Sequence, residues 1–285
     1  MTLTWNGRRI DWVNVAYFGA IHAVALTAPW YFSWSGFGVF VFLYWLSASI
    51  GIGVAFHRLL THSSFKVPKA LEYVLTVCGT LASQGGAINW VAMHRAHHVF
   101  SDRPGRDLHT PKDGFWWSHF GWILCELDMS YDEYNRRYAA DLLADPVHRF
   151  LNRFHIFPNI ILGLGLYALG GWSWVVWGIF VRLVVVLNIT WAVNSATHTW
   201  GYRTYSTPEG STNLWWVGLF AFGEGWHNNH HAFQRSARHG LAWWELDLNW
   251  IIISALAAVG IATDIQRIPA SAKRFRISAS EERAA

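Results

Sequence analysis

Charge is scarce in this chain. Of its 285 residues only 14% are Asp, Glu, Lys or Arg, against about 25% in a soluble domain, and the shortage is concentrated. Four apolar runs, about residues 12–32, 36–56, 154–171 and 172–194, hold a single charged residue between them, Arg182. Each is close to the ~20 residues that cross a bilayer as a helix, so a soluble globule is not the expected class. Cysteine is almost absent as well. Cys78 and Cys125 form no CxxC, which excludes a disulfide framework and the usual cysteine-ligated structural zinc site. There is no G-x-G-x-x-G motif, no basic helix and no base-stacking module, so neither a dinucleotide nor nucleic acid is an expected partner. Repeats and low-complexity stretches are also missing.

The connections between the runs set the topology. SWS (33–35) joins the first two and the Gly170-Gly171 bend joins the last two, and neither holds a basic residue. Twenty-one of the 22 Lys and Arg residues then fall on one face if all four runs cross, and basic loops stay in the cytoplasm. The expected fold is an all-α integral membrane protein: four transmembrane helices, interfacial helices and a cytoplasmic cap, with both termini and loop 57–153 cytoplasmic. Arg8-Arg9 looks like a signal n-region, but the run behind it is too long and has no small-x-small cleavage site. An uncleaved first span is expected. Residues 70–93 are long enough to cross, yet Glu72, Gln84, Asn89 and Gly85-Gly86 suit an interfacial or re-entrant segment better. Residues 250–263 are too short and read as interfacial. Residues 1–269 form one domain and 270–285 a loose tail.

Against this background the chain has fifteen histidines, nine of them in patterned groups. His57 and His62 lie in HRLLTH, directly after the second run. His94, His97 and His98 lie in HRAHH, His198 closes NSATH, and His227, His230 and His231 lie in GWHNNHHAF. Residues at i, i+3 and i+4 share a helix face, so HRAHH and HNNHH each present three rings in one direction, and Asn194 lies on the face of His198. His57 and His62 are five apart, about 140° on an α-helix, which predicts that the helix ends or straightens there. Clustered imidazoles repel when protonated, and a metal holds them neutral. Nine rings exceed what one ion takes and imply two. Imidazole suits Zn, Cu, Fe and Ni alike, so ligand type does not choose among them.

Taken in order, HRLLTH, HRAHHVFSD, GFWWSHFGW, NSATHTWG and GEGWHNNHHAF resemble the membrane fatty acyl desaturases of the delta-9 type over residues 36–240. The resemblance implies a non-haem di-iron enzyme that uses O2 and two electrons to remove two hydrogens from an unactivated acyl chain. It makes the nine patterned histidines iron ligands, with Asn194 helping directly or through water. Redox-inert zinc would not serve this chemistry. Trp90 and Asn89, just before His94, are then placed to line an apolar tunnel near the metals. Trp45, twelve residues before His57 and about 18 Å away along a helix, is placed to stop the methyl end. Asp102, Asp107 and Glu224 flank the boxes as candidates to orient ligating rings, with His119 as a supporting group.

The substrate is an acyl lipid or an acyl thioester. WVAMH and PKDGF hold only Lys112 where animal acyl-CoA desaturases carry several basic residues, which favours the bacterial enzymes of membrane lipids and a bacterial inner-membrane location. Electrons must come from an external carrier, ferredoxin or a small b-type cytochrome, since the chain shows no module for one. Arg136, Arg137, Arg149 and Arg235 are placed to steer an acidic carrier. His22 is expected to be packed, and His109, His148, His155 and His239 to be surface or interface residues. A hydroxylase or ketolase of the same histidine-box group, and more remotely a non-catalytic metal-binding membrane protein, are the alternatives.

Overall fold

A computed structural model describes residues 3–269 and 272, so the expected loose tail lies almost wholly outside the described residues. Nearly all regular structure is helical; the exception is a small antiparallel pair, Thr4–Trp5 with Arg8–Arg9. Helix α1 (Trp12–Ala25) is capped by the Asp11 carboxylate. It is shorter than the apolar run that holds it, because the chain turns through Ala28–Tyr31 around Pro29.

Among the described residues, helix α2 (Trp34–Thr61) is one of two helices long and apolar enough to cross a membrane; the other is the run Phe157–His198. Gly171 breaks that run with a positive φ of 60°, open to glycine at no steric cost. The result is a hairpin of α5 (157–170) and α6 (172–198). Its close seam is visible at Gly178, where a Cβ would lie 2.8 Å from Leu166 of α5 and 2.9 Å from Val39 of α2. The Gly170-Gly171 bend of the sequence is thus a helical reversal.

Segment 70–93 breaks into α3 (Lys69–Thr80) and α4 (Ala87–Phe100), joined by a turn with positive φ at Ser83 and Gly85. Helix α3 packs against α2 through glycines: a Cβ on Gly51 would meet the Cys78 carbonyl oxygen at 2.4 Å, and Gly79 faces the Phe56 ring. The turn is pinned from below. Arg182 of α6, fully buried, donates to the Leu81 carbonyl at 2.6 Å and to Asn159 of α5 at 2.9 Å. Asn159 in turn donates to the Thr80 carbonyl.

The second half of α2, Trp45–Thr61, is wound as a π-helix. In π winding the residue one turn on is i+5 rather than i+4, and the His62 N–H donates to the His57 carbonyl at 3.2 Å. This accounts for the odd spacing of HRLLTH, since it brings together, edge to face at 4.8 Å, two rings that an α-helix would splay. Three short helices follow, α7 (Trp215–Phe220), α8 (His227–Ala232) and α9 (Leu248–Ala258). With eleven residues, about 16 Å at 1.5 Å per residue, α9 is too short to cross. It docks on α2, where Ser49 donates to Asn249.

Candidate metal centre

The tip of α2, one face of α4, the end of α6 and all of α8 meet in one place, and their histidines sort into two groups. His57, His62, His94, His98 and His230 form the first, and His97, His198, His227 and His231 the second. Within each, one ligand atom per ring lies within 4.8 Å of all the others. The groups touch: the His98 and His231 rings are 4.6 Å apart, and consecutive His97 and His98 serve one group each. The nine rings singled out by spacing are thus brought together, none left over.

Their nitrogens face inward at short range. His57 Nε2 is 3.1 Å from His230 Nε2, which is 3.0 Å from His98 Nε2, itself 3.0 Å from His94 Nε2. In the second group His231 Nε2 is 3.1 Å from His227 Nε2. Nε2 of His62, His97 and His198 is buried without a partner.

The outer nitrogens explain why these are lone pairs. His57 Nδ1 is hydrogen-bonded to Glu224, His97 Nδ1 to Asp107 at 3.1 Å, and His198 Nδ1 to Asp102 at 2.9 Å. His231 Nδ1 lies 3.4 Å from Glu209. A ring that gives its Nδ1 proton to a carboxylate turns an unprotonated Nε2 to the other side, the arrangement that fixes a metal ligand's tautomer. Glu209 carried no sequence signal, because nothing in TPEGST shows that the fold will fold it back on His231.

The carboxylates are themselves held. Glu224 accepts from Arg58 at 3.0 and 3.2 Å and from Asn249 at 2.7 Å, while Arg58, fully buried, also pairs with Asp247. Asp102 takes the Gly210 N–H and the Thr110 hydroxyl. Burial would raise its pKa, but the His198 hydrogen bond and charge and these donors bring it down to about 2. The imidazoles go the same way for a different reason. Burial first, and then one another, push His62, His94, His98, His227 and His230 well below the ordinary histidine value. His231 falls to about 4, with burial outweighing Glu209. His97 is the exception: Asp107 more than offsets its burial and raises it. Neutral rings are what a metal requires.

The donor set fits metal ions. Two nitrogens bound at about 2.1 Å to one ion are about 3.0 Å apart at a right angle and about 3.4 Å apart at the tetrahedral angle. The observed 3.0–3.1 Å separations fall within that range.

Asn194 lies one turn below His198 on α6 and is half-buried. Trp90 stacks on the His94 ring at 4.9 Å, its indole N–H donates to Gln84, and Gln84 donates to Thr190 of α6; the sequence marked Gln84 only as a polar interruption of 70–93, and Thr190 not at all. Asn89 accepts from Asn135 and Asn152, which ties α4 to the helices Tyr131–Tyr138 and Pro146–Arg153. Trp45 packs on Phe42 and is 37% exposed on α2. His119 bonds Ser195, beside Asn194, and joins neither group.

Three of the four histidines expected at the surface or an interface are buried inside the chain. His109 packs on His97 at 4.4 Å, His239 on His230 at 4.5 Å, and His148 is hydrogen-bonded to Glu72. Each sits in irregular chain or a short helix, where no periodicity reveals which way a side chain faces. His22, as expected, is packed and bonded, to the Phe18 carbonyl, and His155 to the Asn152 carbonyl.

A model of the fatty acid desaturase family matches residues 32–263. The chain belongs to the fatty acid desaturases. It is 53% identical over 260 residues to the sn-1 stearoyl-lipid 9-desaturase of Anabaena variabilis, covering 90% of this chain and 94% of that one. To the sn-2 palmitoyl-lipid 9-desaturase of a Nostoc species it is 47% identical, covering 93% of each. To the sn-1 stearoyl-lipid 9-desaturase of a Synechocystis species it is 50% identical, covering 92% and 82%. The desaturase is thus a membrane oxidoreductase acting on fatty acyl chains, and its histidine groups lie inside the matched region.

Proposed function

We propose that this desaturase introduces a cis double bond at the delta-9 position of a saturated acyl chain carried on a membrane lipid. The overall change is R-CH2-CH2-R′ + O2 + 2e⁻ + 2H⁺ → R-CH=CH-R′ + 2H2O. The observation that carries the reading is the pair of carboxylate-backed imidazole groups with inward nitrogens at 3.0–3.1 Å, in a chain whose compared relatives are named for lipid-linked stearoyl and palmitoyl substrates.

Two irons would be held by His57, His62, His94, His98 and His230, and by His97, His198, His227 and His231, with Asn194 completing the second set directly or through water. Bound there, they supply the redox chemistry with O2 that cleaves an unactivated C–H bond. The chain's own part is positioning. Asp102, Asp107, Glu209 and Glu224 hold four rings in the ligating tautomer. Trp90, stacked on His94, forms a flat wall that sets the reacting carbons against the centre, and Asn89 fixes the start of α4. Trp45 limits chain length from α2.

Four crossings with the centre on the cytoplasmic face agree with a parity argument. Residues 57–62, 94–98, 198 and 227–231 meet in one cluster, so each intervening segment crosses the bilayer an even number of times: none in 63–93, two in 99–197, none in 199–226. A bacterial inner membrane, with the basic face cytoplasmic, fits this arrangement, and a soluble one-electron carrier, ferredoxin or a b-type cytochrome, supplies the reductant there.

Expression in a host lacking unsaturated fatty acids, followed by gas chromatography of the lipids, tests the reading. A delta-9 monoene is expected from the parent, none from His230→Ala, and longer products from Trp45→Ala. An alcohol or ketone would assign the chain to oxygen insertion instead, and full activity of His230→Ala would refute the ligand assignment.

A further inference from the structure

At the tip of α2, away from its apolar end, a cavity of about 340 Å³ opens to the surface. His231 lies in its lining, with Phe233, Arg235, Gln266 and Arg267 around it. The walls are fixed to α2: Ala237 N–H donates to the Gln266 carbonyl, and Gln266 N–H donates to the Ser64 carbonyl, two residues beyond His62. Both arginines are exposed, and the Arg267 guanidinium sits over the Trp250 ring at 5.9 Å, which limits its freedom. The mouth is therefore cationic and preformed, and one of the nine clustered imidazoles lies in its lining.

We infer that this mouth is where a small acidic electron-carrier protein docks, with His231 as the point of electron entry. The inference rests on the desaturase reading above. Each turnover needs two electrons, so a one-electron carrier must dock twice, each time leaving oxidised as its electron passes to the centre. Electron transfer favours the thinnest cover, and here a single imidazole separates the cavity from the second histidine group. His231 reaches onward in two directions, to His227 Nε2 at 3.1 Å and to the His98 ring of the first group at 4.6 Å. An electron arriving there has a route to both.

The chemistry of the mouth selects the partner. A cavity of this size admits an acidic side chain or the edge of a prosthetic group but not a two-chain lipid, and its place at the tip of α2 faces it to the aqueous side. Two exposed guanidiniums over a partly desolvated opening attract an acidic surface and set its orientation.

Full-length protein in lipid nanodiscs is titrated with two acidic carriers in turn, a plant-type [2Fe–2S] ferredoxin and a soluble b-type cytochrome. Binding is read by thermophoresis at low and high salt, and turnover by product analysis. The double variant R235E/R267E is expected to weaken binding of the supporting carrier at least tenfold and to flatten its salt dependence. The KM for that carrier rises by a similar factor, while turnover driven by reduced methyl viologen does not fall. R9E, exposed but outside the cavity lining, leaves all three unchanged. Carrier binding and KM that survive R235E/R267E would overturn the inference. So would a raised KM for lipid with carrier binding intact, which would make the cavity a headgroup site. A parent protein that gives no alkene even with viologen would instead remove the desaturase reading.

Discussion

The substitution Glu224→Gln isolates the link between a buried carboxylate and a proposed metal ligand, His57. Glu224 accepts four hydrogen bonds: from His57 Nδ1, twice from Arg58, and from Asn249. An amide supplies only one oxygen. If that oxygen stays with Arg58 and Asn249, the NH2 faces His57 Nδ1. Two donors then oppose each other, and His57 relieves the conflict by moving its proton to Nε2. That nitrogen faces His230 at 3.1 Å, so the change converts a ligand into a donor. If the amide flips, its NH2 meets a buried guanidinium, which is worse.

Loss of such an outer partner costs about 10–100-fold in metal affinity, or about 1.4–2.7 kcal/mol. The assay is iron stoichiometry by mass spectrometry after equilibration against increasing chelator. One of two ions should leave Glu224→Gln at about 10–100-fold lower chelator, while the other behaves as in the parent. Asp102→Asn, which acts on His198, should release the opposite ion. Parental retention of both ions, or their simultaneous loss in both variants, would refute the reasoning.

Two further outcomes follow from the same geometry. The metal-free protein should lose thermal stability as pH falls from about 6.5 toward 4. Burial holds His231 and His239 at about 4, and five other rings lower than the ordinary value. The folded chain therefore binds fewer protons than the unfolded chain in that window. His97, raised by Asp107, opposes the trend with a single group, and a flat or rising melting temperature by scanning fluorimetry between pH 7 and 4.5 would contradict it. Gly51→Ala should destabilise by about 1–3 kcal/mol, because its Cβ would meet the backbone of α3 at 2.4 Å, where no rotamer change gives relief. A parental melting temperature in detergent would show that the seam yields.

Much of the site was legible because helical spacing is a strong code. HRAHH and HNNHH put three rings on one face whatever surrounds them, and the converged groups contain those rings. Asp102, Asp107 and Glu224 were legible only as neighbours of the boxes, and each faces a different ring. Glu209 and His239 were not legible. They reach their partners through irregular chain, where direction is set by long-range hydrogen bonds such as Gly210 to Asp102 and Asn229 to Glu245. The π winding of α2 was also hidden, since hydrophobic period does not distinguish it over so few turns; its one trace was the five-residue gap in HRLLTH. The apolar runs located the long helices, but not the stop of α1 at Ala25 or the inward turn between α3 and α4, which depends on a partner about a hundred residues away.

That partner, Arg182, has a mechanical meaning. The one ionised side chain of the apolar runs is bolted to the carbonyl where α3 stops, and α4 rises from the turn that follows. The start of α4, the helix that carries His94, His97 and His98, is therefore anchored from inside the hairpin of α5 and α6.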